Sequence, residues 1–124
     1  MNRNIRFWII LVAGLLPLSL YAQNIKRFRH IDVNMGLAHT DATAIAEDET
    51  GFIWIGTNSG LQRYDGRQLK LFFNSNSKLN QVYNNRITAL CPDRDILWVG
   101  SEGGLHAFSL TEEAYFPLNT LSLT

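Results

Sequence analysis

The sequence has one cysteine, three prolines and no excess of either charge, with 11 Lys plus Arg against 11 Asp plus Glu in 124 residues. A lone thiol, Cys91, cannot form an internal bridge, which excludes a disulfide-stapled scaffold. Balanced charge with no block of one sign excludes a strongly basic nucleic-acid binder. Acidic residues are missing before Asp32, and no apolar run reaches the roughly 20 residues that a membrane-crossing helix takes.

What is present begins with an export pattern. Arg3 and Arg6 give a basic start, Phe7 to Leu16 is unbroken apolar sequence, and Pro17 and Ser19 end any helix before the small residue Ala22. This order reads as a secretory signal peptide over 1–22, cleaved between Ala22 and Gln23. The mature chain then lies outside the cytoplasm, with nine basic and 11 acidic side chains. There Cys91 is expected to be a buried small apolar residue, not a reactive one.

Past the signal the chain repeats itself. Trp54 and Trp98 stand 44 residues apart, and that offset lays Phe52 to Thr57 over Ile96 to Ser101, Gly60-Leu61 over Gly104-Leu105, and Tyr64 over Phe108. Upstream the offset is 45, so that Thr43-Ala44-Ile45 meets Thr88-Ala89-Leu90 and Asp48 meets Asp93. The one-residue change falls where Glu49-Thr50-Gly51 faces Arg94-Asp95, at a turn that tolerates it. Phe28, Phe72 and Phe116 recur at 44 as well. A period of about 40 to 45 residues built from short strands points to propeller blades.

The strand signals agree. Ala42 to Glu47, Phe52 to Thr57, Gly60 to Tyr64 and Leu69 to Phe73 are rich in branched and aromatic residues; the second copy gives Ile87 to Cys91, Ile96 to Ser101, Gly104 to Ser109 and Ala114 to Phe116. Thr50-Gly51, Asn58-Ser59-Gly60 and Asp65-Gly66 supply the turns between them. The fold class expected is all-β, a partial propeller of two four-stranded antiparallel blades behind a signal peptide. Its divisions are an outer-strand segment and linker over 23–41, blade one over 42–73, an inter-blade loop over 74–86, blade two over 87–117, and the start of a next linker over 118–124. Trp54 and Trp98 are expected to fill the space between blades, and Gly56 and Gly100 to allow close strand approach.

The run Thr43 to Asp48, Gly51 to Thr57, Gly60-Leu61 and Tyr64-Asp65 resembles the two-component regulator propeller repeat. Its structural signature falls on Asp48, Gly51, Trp54, Gly56, Thr57, Gly60, Leu61 and Tyr64, and in the second copy on Asp93, Trp98, Gly100, Ser101, Gly104, Leu105 and Phe108. Pro92 stands there for an acidic residue, Ser101 for Thr and Ser109 for Asp. Phe28-Arg29-His30 with Gly36-Leu37 is similar to the opening of such sensors.

The resemblance implies the N-terminal part of a Bacteroidetes-type hybrid two-component sensor. Such a protein is periplasmic in this segment, sits in the inner membrane when complete, and pairs as a homodimer. Its ligand is an oligosaccharide from a glycan under polysaccharide-utilisation control. The partners implied for this segment are that ligand and further blades of the same protein, with no nucleic acid, no cofactor and no membrane contact except through a C-terminal part. Two blades fall short of the four or more that close a propeller, so the chain is expected to belong to a longer sensor, without a catalytic domain of its own.

The alternative is a secreted propeller that binds carbohydrate or protein without a kinase. Ala46, Asp48, Thr50-Gly51 and Trp54 are also similar to the tryptophan-docking motif of quinoprotein dehydrogenases, but Phe52 stands where that motif has Lys. A WD-type repeat takes Asp after Trp, where Ile55 and Val99 follow here. His30, His39 and His106 are too dispersed for a metal site, and His39 with Asp41 reads as a loop pair. Glu47, Asp48 and Glu49 read as turn-stabilising carboxylates, not an acid–base pair.

The exported protein is expected to start at Gln23. Mass spectrometry of periplasmic material that finds Met1 to Ala22 intact would refute this.

Overall fold

The computed structural model describes residues 3–15, 26–76 and 80–120. They fall into two units, Met1–His30 and Ile31–Thr124.

The first unit holds helix α1, Arg3–Leu15. At 1.5 Å per residue its 13 residues span about 20 Å, short of the ~30 Å hydrocarbon core. Among the described residues no helix is long and apolar enough to cross a membrane. The cleavage position expected at Ala22 and Gln23 lies outside the described residues. The outer strand expected around Phe28 does not form: residues 26–32 have no regular structure and Phe28 is 94% exposed.

The second unit is two four-stranded antiparallel sheets. Blade one runs β1 (Ala42–Glu47), β2 (Ile53–Thr57), β3 (Gly60–Tyr64) and β4 (Leu69–Phe72); blade two runs β5 (Ile87–Asp93), β6 (Ile96–Ser101), β7 (Gly104–Ser109) and β8 (Ala114–Phe116). Each is a meander with spatial order equal to chain order. The hairpins turn at Asn58-Ser59 and Glu102-Gly103, and Gly60 and Gly104 follow at φ of 133° and 128°, where a side chain is strained. Both blades carry a bulge at the same repeat position, between Ala42 and Ala44 and between Ile87 and Ala89. The bulge lets the Thr43 hydroxyl donate to the Gly56 carbonyl at 3.1 Å or to the Ile87 carbonyl at 2.5 Å, stitching the first strand of one blade to that of the next.

Two corrections to the strand reading arise in the linker and in β5. The Asn-rich stretch from 74 to 85 includes a one-turn helix α2, Gln81–Asn84, whose four residues are too few for helical periodicity to show. Asn85 secures it to the outgoing strand: its carboxamide accepts from the Asn74 N–H at 2.7 Å and donates to the Asn74 and Gln81 carbonyls at 3.0 and 2.7 Å. β5 also runs on to Asp93, two residues past the expected end, because a two-residue turn with Arg94 at φ 52° lets pairing continue to Asp93 opposite Ile96.

The core is the seam between the blades. Alternation puts Trp54, Leu61 and Phe72 on one face of blade one, and Leu97, Val99 and Phe108 on the facing side of blade two. Trp54, Leu61, Leu97, Val99, Phe108 and Ile87 form the buried cluster, and Phe72 packs against it partly buried. Trp54 lies 5.7 Å from Phe72 and 5.3 Å from Phe108, and Phe108 lies 5.1 Å from Tyr115, tilted or edge-to-face throughout. Gly56 makes the fit possible, since a Cβ there would stand 2.4 Å from Ile87 Cγ2.

The opposite face of blade two carries the same residues without a cover. Leu61 is 0% exposed and its repeat mate Leu105 is 56% exposed. Trp98 is half-buried, and Cys91, directly opposite it in β5, is exposed instead of buried as the sequence suggested. The atoms nearest to a Cβ at Gly100 belong to Thr88 and Ala89 of its own blade.

Trp54→Ala is therefore expected to cost about 3–5 kcal/mol, and Trp98→Ala clearly less, because only the first leaves a cavity in a closed core. Urea unfolding of both variants checks this; equal losses would contradict the seam.

Candidate functional site

The repeat signature converges on one rim of the seam. After β1 the chain turns through Asp48 to Phe52, and the Asp48 carboxylate organises that turn. Its Oδ1 accepts from the Thr50 N–H at 2.9 Å, the Thr50 hydroxyl at 2.6 Å and the Phe52 N–H at 3.1 Å. Its Oδ2 accepts from the Trp54 indole N–H at 2.8 Å. Gly51 closes the turn at φ 89°. Burial acts to raise the Asp48 pKa, but the hydrogen bonds from Thr50, Trp54 and Phe52 outweigh it and hold the group below its ordinary 3.8. The neighbouring Glu47 and Glu49 are exposed, so the three carboxylates do not converge on one point.

Beside this turn the blades are tied by charge. Arg63 on β3 and Lys70 on β4 both donate to Glu113, in the β7–β8 turn of the other blade. The Arg63 guanidinium also lies 4.8 Å from the centroid of Phe52 and 6.0 Å from that of Trp54. The hydrogen bond from Lys70 leads the effects that hold Glu113 below its usual range. A cleft of about 270 Å³ opens here between Asp48, Phe52, Arg63, Asp95 and Leu110. Asp48 is engaged by its own turn and by Trp54, and Arg63 by Glu113 and the Phe52 ring, an arrangement suited to joining blades.

The other signature residues divide between turns and core. The Thr57 hydroxyl donates to the Gly60 carbonyl and accepts from the Ser59 N–H, both at 3.0 Å. Ser101 repeats this with Gly104 and Gly103 at 3.3 and 3.1 Å. Tyr64 donates to the Gly66 carbonyl at 2.9 Å, whereas its repeat mate Phe108 is buried in the seam. Asp93 is not brought to Trp98: its carboxylate is exposed, 3.9 Å from Arg94 Nε. The histidines do not gather. His39 accepts from the Asp41 N–H at 3.0 Å in a loop, and His106 sits at the far end of the seam, 2.9 Å from the Ser101 hydroxyl. Among the described residues no three His, Cys, Asp or Glu side chains could hold a metal.

Sequence reasoning missed Gln62, Arg63, Asn85 and Glu113. Gln62 is buried, accepts from the Ala38 N–H at 2.8 Å and donates to the Gly36 carbonyl at 2.9 Å, binding the segment before β1 to blade one. A buried glutamine inside a strand pattern is the signal that could have found it. Arg63 and Glu113, 50 residues apart, left none.

Residues 36–59, from the Gly36 held by Gln62 to the β2–β3 turn, match the model of the two component regulator propeller family. Over that stretch the chain is similar to the two-component regulator propeller repeat. A histidine kinase P4 of Formosa agariphila is 35% identical over 77 residues, which are 59% of this chain and 5% of that protein. A crystal structure of the extracellular domain of a protein assigned to a hybrid two component system of B. thetaiotaomicron superposes on 71% of this chain and 13% of its own, at 20% identity and a TM-score of 0.60. That likeness establishes the blade fold. The chain spans a small part of either relative.

Asp48→Ala is expected to lose about 1.5–3 kcal/mol, the usual cost of deleting hydrogen bonds to a charged group. Because the folded pKa is depressed, this stability is complete above the unfolded value near 3.8 and is lost as pH falls through the folded one. Acid titration of melting temperature should show a shallower fall in Asp48→Asn than in the parent.

Proposed function

We propose that the chain supplies propeller blades to the extracytoplasmic sensor domain of a hybrid two-component system. In this reading the ligand is an oligosaccharide derived from a glycan, and its binding outside is relayed through a membrane helix to a histidine kinase. The observation that carries the reading is the unequal treatment of identical faces. Leu61 and Trp54 are sealed by blade two, while Leu105 and Trp98 present the same chemistry to solvent. Gly56 is needed because Ile87 of the next blade presses on it, and Gly100 repeats that glycine with no such neighbour among the described residues. A face of this composition calls for a further blade with a branched residue at the position of Ile87.

The regulator repeat, the kinase relative and the extracellular structural neighbour all support a sensor over another use of a propeller. The export pattern before residue 23 supports a site of action outside the cytoplasm.

Reading the coding sequence beyond the Thr124 codon is expected to reveal further Trp-x-Gly-Thr repeats about every 44 residues. One run of about 20 apolar residues and a kinase should follow. A closed propeller that ends without a membrane helix would refute the sensor and leave a secreted binding module in its place.

A further inference from the structure

Blade one has a second face, turned away from the seam, and it repeats the face that blade two turns into the seam. The opposed pairs Ile45–Ile55 and Ile53–Tyr64 of blade one stand in the register of Leu90–Val99 and Leu97–Phe108 of blade two. In blade two the set is sealed: Leu97, Val99 and Phe108 are 0% exposed, and Leu90 packs against the buried cluster. In blade one Ile45 is 72% exposed, and Leu71, opposite Gln62 on the same face, is exposed too. Ile53 and Tyr64 are half-buried.

Two differences between these faces have chemical content. Ala42 and Ile87 hold the same place, opposite Thr57 and Ser101 and just before the bulge. Ile87 sets its γ-carbon where a Cβ at Gly56 would clash at 2.4 Å, with its own β-carbon next at 2.9 Å. Ala42 is exposed and has no γ-carbon, so a small shift of an incoming strand would make room there for a side chain. The outer turns differ in charge. Each has four residues, between Tyr64 and Leu69 in blade one and between Ser109 and Ala114 in blade two. The turn of blade two ends in Glu112-Glu113, and Glu113 takes both Arg63 and Lys70 of blade one. The turn of blade one ends in Arg67-Gln68, and its acid, Asp65, accepts from the Arg67 and Gln68 N–H groups at 2.8 and 2.7 Å.

We propose that the outward face of blade one docks the tryptophan face of a further blade, the last of the ring, and that this blade differs from blade one in two stated ways. It carries a small side chain, Ala or Ser, where blade one has Gly56. It has no cation pair where blade one has Arg63 and Lys70, because Arg67 would repel one. The Ala42 carbonyl, in the place of the Ile87 carbonyl, accepts the hydroxyl that corresponds to Thr43. A sheet is the occupant because the apolar pattern and register reproduce, position by position, a face that a sheet already covers. A blade with glycine and both cations would leave a void beside Ala42 and set like charges together, which selects against it. The inference rests on the reading that further blades follow, and it holds for a closed propeller with or without a kinase.

Hydroxyl-radical footprinting of the 124-residue chain and of the protein encoded by the complete reading frame reads this face directly. Ile45 and Leu71 are expected to be oxidised in the first and to lose most of that labelling in the second, with protection that does not change on dilution. Ile45→Asp should lower the melting temperature of the complete protein and leave that of the 124-residue chain unchanged, since a carboxylate is costly in a seam and harmless on an open face. The last repeat of the propeller should show Ala or Ser for the glycine and no basic pair. Equal labelling of Ile45 and Leu71 in both proteins would overturn the docking face; if Trp98 and Leu105 are protected in the same experiment, the further-blade reading stands without it. Protection that disappears on dilution would assign the face to a second copy and overturn the inference as well. A last repeat with glycine and both cations would overturn the selectivity.

Discussion

The fold depends on one indole set between two sheets. Trp54 stands on β2 with Phe72 beside it and Phe108 opposite, 1% exposed. Burying about 150–250 Å² at roughly 25 cal/mol/Å² gives an upper bound of about 4–6 kcal/mol for such a side chain. That gain is available only if the indole N–H is satisfied in the core. Asp48 accepts it, and the Thr50 and Phe52 donors that the turn supplies keep Asp48 ionised. Gly56 then admits Ile87 to the space beside the ring. Turn, ring and neighbouring blade form one dependent chain of cause.

Polar contacts do a different job at the margins of the seam. Arg63 and Lys70 meet Glu113 where β3 and β4 face the β7–β8 turn, and the Thr43 hydroxyl bridges to Ile87 along the first strands. A partly exposed ion pair is worth about 1 kcal/mol or less. These contacts fix the sliding position of one blade on the other more than they hold the blades together. Flat apolar faces specify attraction and leave register loose, so directional contacts at both margins complement them.

Much of the architecture was legible because a half-buried strand writes its pleat into the sequence. Ala42–Glu47, Gly60–Tyr64, Ile96–Ser101, Gly104–Ser109 and Ala114–Phe116 were readable with their observed limits, and the pairing order followed from the turns. Alternation names the two faces of a strand without saying which is covered. Cys91 was read as buried from the usual habit of a free cysteine, and it lies on an open face instead. α2 was hidden in a run of five asparagines that reads as loop, although Asn85 is what anchors it. Of the candidate site, Asp48 was legible as a turn-stabilising carboxylate and Trp54 as a repeat residue. The Arg63–Glu113 pair was not, because it joins side chains 50 residues apart that meet only once the two blades pack.

The second copy shows how much one residue of turn length decides. Asp48 binds Trp54 because Glu49, Thr50 and Gly51 give the chain room to fold back and bring a hydroxyl and two N–H groups to the same carboxylate. In the second copy Arg94 and Asp95 make the whole turn, so β5 stays paired as far as Asp93 opposite Ile96. The carboxylate aligned with Asp48 is thereby drawn into the ladder and left exposed beside Arg94. No backbone donors converge on it to keep it ionised if it were buried, and an ionised group in a core without such donors is costly. Asp93 therefore belongs in solvent. Trp98 is left half-buried, without the carboxylate that satisfies the Trp54 indole.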